Sequence, residues 1–174
     1  MHPIAPPNRD EAAEYYFKYI DLVPAGNIID TLRDQEDDVV VTVGRLSTEQ
    51  SLARYAAGKW SVREVIGHVN DCERLFAFRA LWFARGFETP LPSFDQSLAV
   101  AAADADHHPL PAHVNDFLAL RKSTVAFFEH LPAAAWDRRG IASGNPFSVR
   151  ALAYLAAGHV IHHLNVLRDR YGVR

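Results

Sequence analysis

Sulfur is scarce in this chain of 174 residues, which carries one cysteine, Cys72, and one methionine. A lone cysteine excludes an intrachain disulfide framework and suits a reducing compartment. Long hydrophobic runs are missing too, and none approaches the ~20 residues of a membrane-spanning helix. Positive charge is not in excess: 18 Lys and Arg stand against 21 Asp and Glu, a formal net charge of −3. A duplex nucleic-acid binder needs a basic face to neutralise phosphates, so that class is set aside. The start of the chain, MHPIAPPNRDEAAEYY, lacks the basic opening and apolar stretch of a secretory signal. No sequence repeat and no βαβ alternation is visible. The expectation is one domain over residues 1–174, cytoplasmic, with neither membrane nor nucleic-acid partners.

What the chain does carry is apolar residues at helical spacing. The hydrophobic fraction is 49%, enough for a full core. After a Pro-rich arm over residues 1–26, with a short helix from Arg9 to Leu22, four long helices are expected. The first spans Asn27 to Leu46. Its β-branched run Val39-Val40-Val41 would also suit a strand, but the flanking periodicity and the lack of a partner strand favour helix. The second runs from Ser61, where Ser61 and Glu64 make a capping box, to about Arg85 before Gly86. The third covers Leu110 to Leu131 and stops at Pro132. The fourth runs from Ser148 to Tyr171. Shorter helices are expected at Ser47–Gln50 and Leu98–Ala105, and Ala133–Phe147 reads as a long irregular connection. Four long helices with irregular links make an all-α four-helix bundle.

The fourth helix holds the chemistry. At ~100° per residue, Leu152, Leu155, His159, Val166 and Leu167 share one stripe, and His163 lies one turn beyond His159. Residues four apart on a helix are neighbours, so two imidazoles at this spacing can reach one ion. A histidine on an apolar face is more often a hydrogen-bonded core residue than a ligand, and that reading stands beside the metal one. His68, on the second helix near Val65 and Cys72, is the natural third ligand. It stands 7 residues after Ser61, and His163 stands 8 before Tyr171. In an antiparallel pair the two therefore reach almost the same height. Three protein ligands and an open position are the pattern of a catalytic zinc-type site. His162, offset by one residue, points to the flank of the stripe as a supporting or surface residue. Asp71 is a candidate for orienting an imidazole. Cys72 is a candidate redox thiol, though a lone helical cysteine is more often core filler. Glu73 reads as a surface or interhelix salt-bridge partner. Arg74, Arg79, Arg85 and Arg150 could bind an anionic substrate, each competing with a plainer role as an ion pair. The aromatic set Trp60, Phe76, Trp82, Phe83 and Phe94 reads as core before pocket.

The segments GKWSVREVIGHVNDCERLFAFRALWFARG, FDQS and WDRRGIASGNPFSVRALAYLAAGHVIHHLNVLRDRY, with the spacing between them, resemble the DinB-like (YfiT-like) metal-dependent proteins. The likeness covers the chain from about Asn27 on. It implies a bundle in up-down-down-up order, often homodimeric. It also implies a metal triad at His68, His159 and His163, holding nickel or zinc. The activity implied is thiol S-transfer, with a low-molecular-weight thiol (bacillithiol, mycothiol or glutathione) as co-substrate. A small molecule is then the substrate, with metal-bound water or thiolate as the catalytic group. Two alternatives stay open: a metal-dependent hydrolase, and a non-catalytic metal-binding bundle acting in a stress response. The histidines by themselves do not select the metal, because three-histidine sites accept nickel, zinc, copper and iron.

Overall fold

The computed structural model describes residues 4–173. Seven α-helices follow in order: α1 (Glu14–Ile20), α2 (Ile28–Val43), α3 (Thr48–Leu52), α4 (Val62–Ala84), α5 (Gln96–Ala103), α6 (Leu110–Glu129) and α7 (Val149–Tyr171). The long helices α2, α4, α6 and α7 are the bundle, and their ends follow local chemistry. Asn27 accepts from the Ile29 amide to start α2. At the start of α4, Ser61 Oγ accepts from the Glu64 amide while the Glu64 carboxylate accepts from the Ser61 amide. Ser148 Oγ accepts from the Ala151 amide to start α7, and Gly172 ends it in the left-handed conformation.

Cross-helix contacts set the directions. Tyr171 at the end of α7 donates to the Trp60 carbonyl just before α4, at 2.6 Å, so α4 and α7 are antiparallel. Arg33 near the start of α2 pairs with Glu129 at the end of α6, so these are antiparallel as well. Asn70 meets the His113 carbonyl and, further along both helices, Glu73 meets Arg121, so α4 and α6 are parallel. Gln35 meets Ala157 and Thr42 meets Arg168, so α2 and α7 are parallel. The order is up-down-down-up, with α4 and α2 each packed between α6 and α7. Parallel neighbours cannot be joined by a tight turn, which is why α4 and α6 are linked by a long crossing segment containing α5.

The connection expected to be irregular over Ala133–Phe147 instead holds a hairpin. Strand β1 (Arg139–Ala142) pairs antiparallel with β2 (Asn145–Ser148). Its two-residue turn, Ser143-Gly144, has φ of 53° and 73°, the doubly left-handed geometry that favours glycine at a hairpin tip. Leu91 bridges to Ala142 on one edge and Ala12 to Phe147 on the other. The hairpin thus ties the N-terminal arm and the α4–α6 link to the base of α7. Gly140 permits it to lie flat on α4, since a Cβ there would fall 2.1 Å from the Phe83 ring.

The apolar core divides into two clusters, one around Phe76, Phe128, Phe147 and Leu152, the other around Val65, Phe117, Val160 and Leu167. Buried polar side chains occupy the waist between them: Gln35, His68, Glu73, Arg121 and His159. No described helix is long and apolar enough to cross a membrane.

Candidate metal centre

α4 and α7 bring His68, His159 and His163 together. His159 Nε2 lies 3.2 Å from His68 Nε2 and 3.1 Å from His163 Nε2. The three ring centroids are 4.5 to 5.0 Å apart. His68 and His159 are buried and His163 is partly so. Burial and the neighbouring imidazoles hold His159 well below its ordinary pKa. Burial first, then nearby His162, holds His68 at about 4. Burial first, then His68 and His162, holds His163 at about 3. The rings are neutral at pH 7, which is the ligating form of imidazole.

This arrangement is poorly explained by hydrogen bonding alone. A neutral imidazole nitrogen carries either one proton or one lone pair. His159 Nε2 therefore satisfies one of its two neighbours in plane and leaves the other facing a like group. A cation in contact with these nitrogens would remove the conflict. Nitrogens held about 2.0–2.1 Å from one ion at angles near 90–110° lie about 2.8–3.4 Å from each other. The observed 3.1 and 3.2 Å separations fall inside that span.

Cys72 is the fourth donor nearby. Its Sγ is 3.8 Å from His68 Nδ1 and 3.7 Å from His68 Nε2, so it sits beside the ring and not in line with either nitrogen. His68, Cys72 and His159 have donor atoms within 4.8 Å of one another, a set that could also hold an ion. Burial pushes the Cys72 thiol up to about 12, which keeps it protonated beside the three neutral rings. Asp71 makes its ion pair with Arg74, at 3.6 Å. His162 stacks edge-on against Tyr19 and against His163, both at 5.0 Å between centroids.

Two clefts reach this cluster. One, of about 300 Å³, is bounded by Tyr16 and Tyr19 of α1, Cys72 and Arg79 of α4, Ser143 of the hairpin, and His159. The other, of about 320 Å³, is bounded by Tyr55, Trp60, His162 and His163. Trp60 packs on His68 at 4.9 Å and Phe76 on His159 at 5.6 Å, and Phe94 lines the first cleft. Trp82 stacks on Phe87 away from the site, and Phe83 is fully in the core. Nothing in the sequence pointed Tyr19 or Ser143 toward the site. Each is delivered by tertiary packing: Tyr19 where α1 crosses α7, and Ser143 at a turn that only its Ser-Gly dipeptide announces.

A four-helix bundle in this order, with an internal cluster of donors that could hold an ion, defines the class of protein. The chain belongs to the DinB superfamily, whose family model matches residues 31–167. It is similar in structure to YfiT from Bacillus subtilis, described as a probable metal-dependent hydrolase with an unusual four-helix bundle topology. The TM-score is 0.73 at 17% identity, over 99% of this chain and 95% of that one. It is also similar to the mycothiol-dependent maleylpyruvate isomerase, with a TM-score of 0.69 at 13% identity. That match covers 88% of this chain and spans 63% of the isomerase. At these identities the two structures establish the fold. No curated protein matches the chain.

Proposed function

We propose that the chain is a metal-dependent enzyme acting on a small molecule, with His68, His159 and His163 holding a divalent cation, nickel or zinc. The observation that carries this reading is His159 Nε2 placed 3.2 and 3.1 Å from the other two Nε2 atoms, with all three rings unprotonated. A cation there supplies Lewis acidity and stabilises an anionic nucleophile at neutral pH. The chain's own residues do the rest. Three neutral imidazoles leave the cation its full charge. Trp60 and Phe76 pack on two of the rings and keep bulk water off them. The buried polar waist fixes the heights of α4 and α7, and with them the spacing of the donors.

Thiol S-transfer is the preferred reaction. Two clefts, one lined by His159 and the other by His163, suit two reactants, a low-molecular-weight thiol and an electrophile, and the likeness to a mycothiol-dependent isomerase supports the same class. A hydrolase is the second reading, favoured by the likeness to YfiT, and would use one cleft for substrate. A closed storage site would have no use for clefts reaching its ligands. A homodimer in the cytoplasm belongs to this proposal, supported by the family resemblance and by the single buried cysteine. The test is a panel of bacillithiol, mycothiol and glutathione with a generic electrophile, run with metal-loaded and metal-free protein. Metal-dependent transfer with one of the thiols is expected. Failure of all three, with metal-dependent ester or amide hydrolysis, moves the assignment to the hydrolase.

A further inference from the structure

Arg79 is a buried cation without an anion. Its side chain lies on α4 at the edge of the cleft that opens on His159, and the residue is 3% exposed. Nη2 donates to Ser143 Oγ at 2.8 Å and to the Pro92 carbonyl at 3.2 Å, both uncharged acceptors. Nε is buried with no partner at all among the described residues, and no ion pair to Arg79 is formed there. The contrast with Arg121 is direct, since that buried guanidinium faces a carboxylate. An orphaned donor on a buried charge is costly, on the order of 1–3 kcal/mol or more, and calls for an explanation. Burial already lowers the Arg79 pKa, against small opposing effects from Tyr16 and Cys72. No described residue completes the site.

We infer that Arg79 is the subsite for a carboxylate of the small-molecule substrate, held in the cleft between α1, α4 and the hairpin, with the rest of the molecule directed toward His159. A guanidinium offers two parallel donors to a carboxylate, and one positive charge matches one negative charge. Ser143 Oγ already positions the fork. Arg79 and Cys72 stand two helical turns apart on one face, about 10 Å along the axis, which leaves room for several carbons between the anion and the reacting end. Tyr15, Tyr19, Phe76 and Phe94 make that stretch of wall aromatic. The molecule favoured is a monocarboxylate with an apolar or aromatic middle, small enough for about 300 Å³. The inference names the substrate class for the enzyme proposed above and rests on that reading for its catalytic meaning, but binding tests it separately.

The test is calorimetric titration of ω-phenylalkanoates, phenylacetate to phenylhexanoate, and their primary amides, into metal-loaded and metal-free protein. The best carboxylate is expected to bind at least about tenfold more tightly than its amide in both forms. Arg79→Gln is expected to abolish that preference while keeping the wild-type metal content. Arg79→Lys, which keeps the charge and loses the fork, is expected to weaken the acid several-fold and guards against poor folding of the first variant. Equal affinity for acid and amide, no binding by any acid in the series, or unchanged affinity in Arg79→Lys overturns the inference. So does a preference that survives Arg79→Gln and vanishes with the metal, which places the carboxylate on the ion. Metal content is the independent readout: protein that never retains metal but prefers the acids sinks the enzyme reading and leaves this site standing.

Discussion

Arg121 on α6 donates Nε and Nη2 to the two carboxylate oxygens of Glu73 on α4, at 2.9 and 3.0 Å, with both side chains essentially out of solvent. Its Nη1 reaches the Leu32 carbonyl at 3.1 Å and the Gln35 side chain on α2, while Gln35 donates to the Ala157 carbonyl of α7 at 2.8 Å. One network therefore touches all four bundle helices at the height of the histidines. Such a buried ion pair adds little stability over well-packed apolar residues of similar volume. Removing one partner is another matter. Glu73→Ala leaves the guanidinium uncompensated and is expected to cost about 3–5 kcal/mol. In a chain of this size that lowers the melting midpoint on the order of 10 °C. Thermal unfolding followed by circular dichroism checks it, and a shift of a degree or two would contradict the buried pair.

The donor set makes a prediction about metal content. His68, His159 and Cys72 form one group of mutually close donors, and His159 Nε2 also lies 3.2 Å from His68 Nε2 and 3.1 Å from His163 Nε2. The imidazole set is preferred because Cys72 Sγ stands beside the His68 ring, 3.8 Å from Nδ1 and 3.7 Å from Nε2, and in line with neither nitrogen. His68→Ala, His159→Ala and His163→Ala are each expected to weaken metal affinity by more than the ~10–100-fold typical of outer-shell changes. Cys72→Ser is expected to retain metal at near wild-type stoichiometry. Elemental analysis of protein purified without a histidine tag decides it. Metal lost from Cys72→Ser and kept by His163→Ala would exchange the two residues in the assignment.

Sequence periodicity reached the histidines because they sit on two long helices with readable caps. Ser61, Glu64 and Ser148 fix the starts, and from there ~1.5 Å per residue gives height and ~100° gives face. The same arithmetic placed Glu73 away from His68, and that holds. It left Glu73 as a surface or an interhelix salt-bridge partner, and the structure selects the second: this direction points into the α6 interface, where Arg121 waits. Burial of an arginine is decided by its partner on another helix, and no local pattern announces it. Arg79 illustrates the same limit from the other side. Of its two expected roles, an ion pair or a contact to an anionic substrate, the first is not formed, since it has no acidic partner among the described residues. The hairpin was missed because β1 and β2 are only 4 residues each, too short for alternation to register.

Gly158 has no side chain because the backbone of α1 occupies the space. A Cβ there would lie 2.1 Å from the Tyr19 carbonyl oxygen and 2.5 Å from its carbon. Glycine to alanine inside an exposed helix normally gains about 1 kcal/mol. Here the sign reverses, since backbone cannot step aside as a flexible side chain would. Gly158→Ala is expected to destabilise by about 1–3 kcal/mol, the usual cost of overpacking. It is also expected to lift Tyr19 from His159 and His162, the two rings it packs against. Urea unfolding gives the first effect and altered protease sensitivity of the arm gives the second. A variant as stable as wild type would mean that α1 does not lie where it is described.

Glu11 is the electrostatic link between the arm and the bundle. Its carboxylate accepts from the Asn8 amide at 2.9 Å, from Ser148 Oγ at 2.7 Å and from Arg150 Nε at 3.0 Å. Burial pushes its pKa up, but the bonds from Asn8, Ser148 and Arg150 and the Arg150 charge outweigh it and hold the group below its ordinary 4.5. Arg150 also pairs with Asp137, so the carboxylate competes with one exposed acid for that cation. A carboxylate with a depressed folded pKa stabilises fully above its unfolded value and loses that contribution as pH falls through the folded one. Glu11→Gln keeps an acceptor for Asn8 but turns an amide N–H toward Ser148 and Arg150. The variant is expected to be less stable than wild type at pH 7, and the gap is expected to close as pH falls through and below 4.5. Denaturant melts of both proteins between pH 7 and pH 3 measure the gap directly. A difference constant over that range would remove the ionised carboxylate from the explanation and leave only packing.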